Sequence, residues 1–221
     1  MKKFFSGLLA AALTLTLAVP SASALELEDA KTLLSQYYYN GVPEEVLELD
    51  SLDAILEALG MEPLDLNDYQ KTTVTEDFYG TLYSSSGVRW LPPDSIDTYV
   101  SGEGITNTYY DNGKLTDGPL YVDSYLSVKD KYSYFLGGVQ GLRVLRTQNT
   151  DAPKILMVRD SYTDSLAPFL TERFSEIHLF DLRYNNISLK SYIEENDIDT
   201  VVVLYSFSNF VTDQNLFLLG Q

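Results

Sequence analysis

The chain of 221 residues contains no cysteine and a single histidine. Without cysteine there are no disulfides and no thiolate ligands, so the fold rests on core burial, for which this length is sufficient. One histidine and no H-E-x-x-H segment exclude the ordinary zinc sites, and neither a metal nor another cofactor is expected. Positive charge is also scarce. Fifteen Lys and Arg stand against 32 Asp and Glu, a formal net charge of −17. Such a surface repels phosphate, which excludes nucleic acid as a partner. A calcium ion or a basic partner surface stays open, although the acids are scattered and form no EF-hand loop.

Charge is lacking in another place. From Phe4 to Val19 there is none, while Lys2 and Lys3 precede the run, Pro20 ends it and Ala22-Ser23-Ala24 follows. A basic start, an apolar stretch and a small-x-small site read as a secretory signal peptide over 1–24. The apolar run is sixteen residues, short of the roughly 20 that a membrane span needs. Cleavage after Ala24 is therefore expected, with no stable membrane anchor afterwards and a net charge of −19. No cysteine follows the site, so the leader is not of the lipoprotein type. The expected location is extracytoplasmic, at or beyond a bacterial envelope.

Three textures follow. Residues 25–65 read as a helical segment: Leu27, Ala30, Leu33, Leu34 and Tyr37 share one stripe, and a second helix over 51–59 ends at Gly60. Residues 66–150 read as a β-rich, Tyr-rich insertion, with strand character over Val74–Tyr83. Ile105–Tyr110 and the segment from Lys114 form a hairpin closed by Asp111-Asn112-Gly113. The tyrosines suit half-buried strands, and a sugar-stacking surface is the alternative.

Residues 151–221 read as βαβαβ. The expected strands are Lys154–Arg159, Glu176–Phe180 and Thr200–Tyr205, separated by helices over Thr163–Phe174 and Ser188–Asn196. This order requires parallel pairing by right-handed crossovers. The unbroken apolar runs require cover on both faces. The fold class is thus α/β, a parallel sheet with flanking helices and a β-rich insertion.

Ligands of open α/β sheets collect beyond the carboxyl ends of the strands. Those ends carry Asp160, Ser161, Tyr162, Asp164 and Ser165, then Asp181, Arg183, Tyr184 and Asn185, then Ser206, Ser208 and Asn209. Solubility alone accounts for polar loops. Asp160-Ser161, however, directly follows a buried strand and opens a helix, which puts the Ser161 hydroxyl among free backbone N–H groups.

Lys154–Tyr162 with Ala167-Pro168-Phe169-Leu170 resembles the nucleophile block of the bacterial DHHW proteins, SGNH-hydrolase-like relatives of the alginate O-acetylation proteins. Asp77–Ser84, Tyr134–Gly138, Asp181–Tyr184 and the stretch from Asn209-Phe210 to Thr212-Asp213 resemble further blocks of that family in order, over roughly residues 50–217. The resemblance implies a truncated SGNH-like domain with Ser161 as nucleophile and Asp160 in the same block. It also implies a substrate surface at Arg183, Tyr184, Asn209, Gly137 and Gly138, and acetyl removal or transfer on an envelope polysaccharide.

One departure is decisive for activity. Where the family carries Asp-His-His-Trp, this chain has Tyr37–Glu44 with no histidine. A serine without a base is a weak nucleophile. His178 falls inside the second strand and reads as structural. A solvated Asp164 or Asp181 is too acidic to serve. The expectation is therefore an exported protein without hydrolase or acyltransferase activity of its own. The alternative is one part of a split or unconventional O-acetyl esterase or transferase, with a complementary polypeptide supplying the missing half.

Overall fold

A computed structural model describes residues 12–15, 53, 56–57, 59–86, 89–111 and 114–220. Most of the expected leader and of the helical segment 25–65 lies outside them. The second helix is seen at its end: Met61 N–H donates to Leu56 O at 2.8 Å and Gly60 N–H to Glu57 O at 2.9 Å. Gly60 has φ +71° there, the left-handed terminator that a side chain would resist.

A mixed sheet organises the molecule. Its strands are β4 (Thr106–Asp111), β5 (Lys114–Gly118), β6 (Leu142–Arg146), β7 (Lys154–Arg159), β8 (Glu176–Phe180) and β9 (Thr200–Ser206). A further strand, β1 (Ala12–Leu15), pairs antiparallel with the outer edge of β9, giving the order β1-β9-β7-β8-β6-β4-β5. β2 (Thr72–Phe78) and β3 (Asp94–Thr98) form a separate antiparallel pair.

The βαβαβ expectation holds within this sheet. β7 lies parallel to both β8 and β9, with Ile155 opposite Ile177 and Thr200. Helix α3 (Leu189–Asn196) joins β8 to β9 and is capped by Ser188, whose side chain accepts from Ser191 N–H. Both faces of the sheet are covered, which explains the lack of alternation in these strands. Ile155 and Met157 face one cluster with Leu170 and Phe174, while Leu156 and Val158 face another with Leu189 and Tyr192.

Three expectations are corrected. The sheet is mixed rather than wholly parallel, because β6 inserts antiparallel beside β8 and carries the β4–β5 hairpin with it. Strands of the expected insertion thus extend the C-terminal sheet. The run Val74–Tyr83 is not one strand. It breaks at Gly80 and becomes helix α1 (Thr81–Ser86), where Ser85 Oγ bonds back to Thr81 O. Finally, Thr163–Phe174 is not one helix but a 3-10 turn, Ser161–Ser165, followed by the short α2 (Ala167–Leu170). Pro168 has no N–H to bond back to the preceding turn, so the helix restarts there.

The hairpin stands as read, with Asp111 opposite Lys114. Many tyrosines are structural: Tyr121 stacks on Tyr134 at 5.2 Å, and both pack with Phe135. No helix among the described residues is long and apolar enough to cross a membrane.

Candidate active site

β7 ends at the buried Arg159, and Asp160 caps the turn that follows. The Asp160 carboxylate is fully buried and accepts four hydrogen bonds. Tyr162 N–H donates to Oδ1 at 3.0 Å. Ser206 N–H at 2.9 Å, Ser206 Oγ at 2.7 Å and Asn209 Nδ2 at 2.7 Å donate to Oδ2. Asn209 belongs to helix α4 (Phe207–Thr212), which starts where β9 ends. Asp160 therefore joins the ends of β7 and β9, and its lone pairs are committed to that task.

Ser161 follows, half-buried, at the carboxyl end of the sheet. Its Oγ has no hydrogen-bond partner among the described residues. The expected ring of free N–H groups is smaller than the sequence suggests. Tyr162 N–H is spent on Asp160 Oδ1 and Thr163 N–H on Asp160 O. The five-residue turn also lacks the dipole of a long helix.

Beneath the turn lies a buried ionic layer. Arg159 Nη2 approaches Asp164 Oδ1 at 3.2 Å, and Nη1 approaches Asp181 Oδ2 at 3.8 Å. Neither contact is aligned as a hydrogen bond, so the Arg159 guanidinium and Asp164 Oδ1 have no such partner among the described residues. Burial pushes the Asp164 carboxyl up to about 6; Arg159 and Arg143 pull it down, while Asp181 and Asp160 push it further up.

Asp181 is held by Arg183 through both oxygens, Nε to Oδ1 at 2.9 Å and Nη2 to Oδ2 at 2.7 Å. That bond keeps the Arg183 guanidinium firmly charged. Arg143 donates to Asn107 Oδ1 at 2.7 Å and to Gly138 O at 2.9 Å. Burial lowers its pKa to about 10.

The single histidine sits elsewhere. His178 is fully buried in mid-β8, opposite Leu156. Its Nδ1 meets Tyr192 OH at 2.7 Å and its Nε2 meets Glu176 Oε2 at 3.1 Å. Glu176 opens the strand, so the ring is tied toward the end of β8 opposite to the one that carries the rim. Burial outweighs the pull of Glu176 and depresses its pKa below the usual imidazole range. Both nitrogens are engaged, and His178 is structural. Asp164 and Asp181 are buried on guanidinium groups rather than solvated as expected, and this burial, not solvent exposure, withdraws them as bases for Ser161.

Of the expected substrate residues, Arg183 and Asn209 come together. They line one cavity of about 320 Å³ with Thr212, Asp213, Gln214 and Asn215. Tyr184 and Tyr162 stand exposed at the same rim. Gly137 and Gly138 do not line it. They turn the chain with φ +83° and +90° between the segment 131–134 and β6, and the Gly138 carbonyl receives Arg143.

Sequence reasoning missed four residues. Arg143, second in β6, and Arg159, last in β7, are fully buried arginines of a kind that a sequence reads as solvated. Tyr132, in the 3-10 turn Lys131–Tyr134, places its phenol on the Ser161 turn, donating to Ser161 O at 2.9 Å. Gly141 lies where a Cβ would stand 2.4 Å from Tyr184 O, so its lack of a side chain lets the loop after β8 pack down. Among the described residues no group of three or more His, Asp or Glu is placed to hold a metal ion.

No known family profile matches the sequence, and no curated protein matches it. Solved structures do. A DHHW family protein from Eubacterium siraeum has TM-score 0.66 and 25% identity, over 79% of this chain and 60% of that one. PatB1 from Bacillus cereus with a sulfonyl adduct has TM-score 0.59 and 18% identity, over 84% of this chain and 69% of that one. A second PatB1 structure has the same score and identity over 75% and 60%. The fold is thus similar to that of a DHHW family protein, and the chain spans about 60% of that neighbour's length.

Proposed function

We propose that the chain is an exported, SGNH-like protein of the bacterial envelope whose Ser161 turn is an acyl-ester site without a base of its own. It holds O-acylated polysaccharide at the rim and does not turn it over unaided. The observation that carries this reading is the disposition around Ser161. Its hydroxyl has no hydrogen-bond partner among the described residues, while Asp160 accepts four hydrogen bonds and the chain's one histidine is locked in mid-β8.

A hydroxyl with no base at hydrogen-bond distance is a poor nucleophile near neutral pH. Polysaccharide recognition is supported by the polar cavity with Arg183, Asn209 and Asp213 and by the exposed rings of Tyr162 and Tyr184. The DHHW family likeness and the sulfonyl adduct carried by PatB1 support an acyl-related site.

Affinity electrophoresis in gels containing O-acetylated polysaccharide, paired with an acetate-release assay, tests both halves. Retardation without acetate release is expected. Acetate release that disappears in Ser161→Ala overturns the reading, as does unretarded migration.

A second reading has its own support. The chain spans about 60% of its DHHW neighbour, and a separate polypeptide that carries the base would complete the site. Ser161-dependent acetate release only on mixing with such a partner would favour it.

A further inference from the structure

We propose that Tyr132 is the positioning residue of Ser161, its phenol fixing the turn that presents the serine at the rim. This rests on the reading of Ser161 as the acyl-site hydroxyl. The phenol oxygen lies 2.9 Å from Ser161 O, 3.1 Å from Tyr162 O and 3.1 Å from Ser165 Oγ. Ser165 N–H donates back to it at 3.3 Å. One hydroxyl therefore bridges the first and last residues of the turn. A phenol has one proton to give, so Ser161 O, Tyr162 O and Ser165 Oγ share it, Ser161 O being the nearest, while the phenol oxygen accepts from Ser165 N–H.

The turn needs such a bridge because it has little else. It is five residues of 3-10 structure, whose bonds are individually weak. Its outward-facing residues, Ser161 and Tyr162, are not in the core. From below it is held by Asp160 and by the Arg159–Asp164 pair, which lacks hydrogen-bond alignment. From the side it is held by Tyr132. Burial raises the Tyr132 pKa well above the ordinary phenol range, so the group remains a donor at working pH. Tyr132 is itself anchored, with Phe135 N–H on its carbonyl at 3.1 Å and the two rings 5.7 Å apart.

A purely packing role makes a different prediction from a positioning role. Tyr132→Phe keeps the ring and removes only the bridge. The test uses the full chain, imidazole as external base and phenylmethylsulfonyl fluoride as electrophile. The Ser161 O–S bond forms, the S–F bond breaks, fluoride leaves and imidazole takes the proton. The modified Ser161 peptide is followed by mass, and amide exchange over residues 161–166 is recorded in parallel.

Wild type should be labelled and Ser161→Ala should not. Tyr132→Phe should label about tenfold more slowly and exchange about tenfold faster in the turn, the equivalent of one lost hydrogen bond. Its thermal midpoint should match that of Tyr121→Phe, a control that loses a phenol bond to Val100 O away from the site. Labelled wild type with an equal rate in Tyr132→Phe overturns the clamp alone. Unlabelled wild type overturns the acyl-site reading and the positioning role with it, and unchanged exchange in Tyr132→Phe overturns the clamp independently of labelling.

Discussion

Asp160 and Asp164 stand four residues apart and illustrate opposite fates for a buried carboxylate. Asp160 accepts four hydrogen bonds. Removing it orphans the Ser206 and Asn209 donors in the interior. Asp160→Ala should cost about 3 kcal/mol or more in urea unfolding, with lost order at both strand ends. Asp164 has an ion pair but no aligned bond among the described residues, and burial raises its pKa to about 6 from 3.8.

The sign for Asp164 follows from proton binding. Between pH 4 and 6 the folded state holds this proton and the unfolded chain does not, so the group's contribution to stability falls as pH rises through that window. Above about pH 6 the cost is complete. Asp164→Asn should remove that component, so the difference in unfolding free energy between variant and wild type should change across pH 4–6 and level off above it. A difference that stays constant over the window would show an unshifted carboxyl.

At the scale of elements, legibility divides by the kind of force. β7, β8 and β9 are readable because Ile155–Val158, Ile177–Phe180 and Val201–Leu204 lie buried or half-buried between two layers, which leaves runs that are apolar except at His178. Asp160-Ser161 stands out for a related reason, as the pair that directly follows the strand ending at Arg159. What leaves no periodic trace is contact between distant polar groups. Tyr132 reaches Ser161 across 29 residues, and Arg143 reaches Asn107 across 36. The α1 segment misled because Phe78–Tyr83 is aromatic enough for a strand, while Gly80 breaks the strand and the serines after it bond locally to the backbone, as Ser85 Oγ does to Thr81 O.

Gly141 belongs to the same class of silent contacts. Its Cα lies under the loop that carries Tyr184. Gly141→Ala should cost roughly 1–3 kcal/mol by overpacking and displace that loop. Weakened retention on O-acetylated polysaccharide, measured beside the unfolding midpoint, checks the prediction. Full retention at wild-type stability would contradict it.

For the whole molecule, the proposed export bears on the outer edge of β9. Thr200–Ser206 is uncharged and β-branched over Thr200–Val203, without the lysine or proline that blunts natural edges. Ala12–Leu15, inside the proposed leader, pairs with it. Cleavage after Ala24 removes that strand. The processed chain should therefore self-associate more readily than the full chain, as read by light scattering. Protein recovered from outside the cytoplasm should begin at Leu25 by N-terminal mass. Recovery of intact residues 1–24 would contradict the export reading. The net charge of −19 that cleavage after Ala24 would leave opposes aggregation over the rest of the surface but not along this neutral edge.

The proposal rests on Ser161 as an acyl-site serine with no base beside it among the described residues. Its most direct test is the rate of p-nitrophenyl acetate hydrolysis by wild type and Ser161→Ala, side by side, without and with imidazole. The two should be equal without imidazole, and wild type should exceed the variant once imidazole is added. A Ser161-dependent rate in the absence of imidazole would contradict the claim.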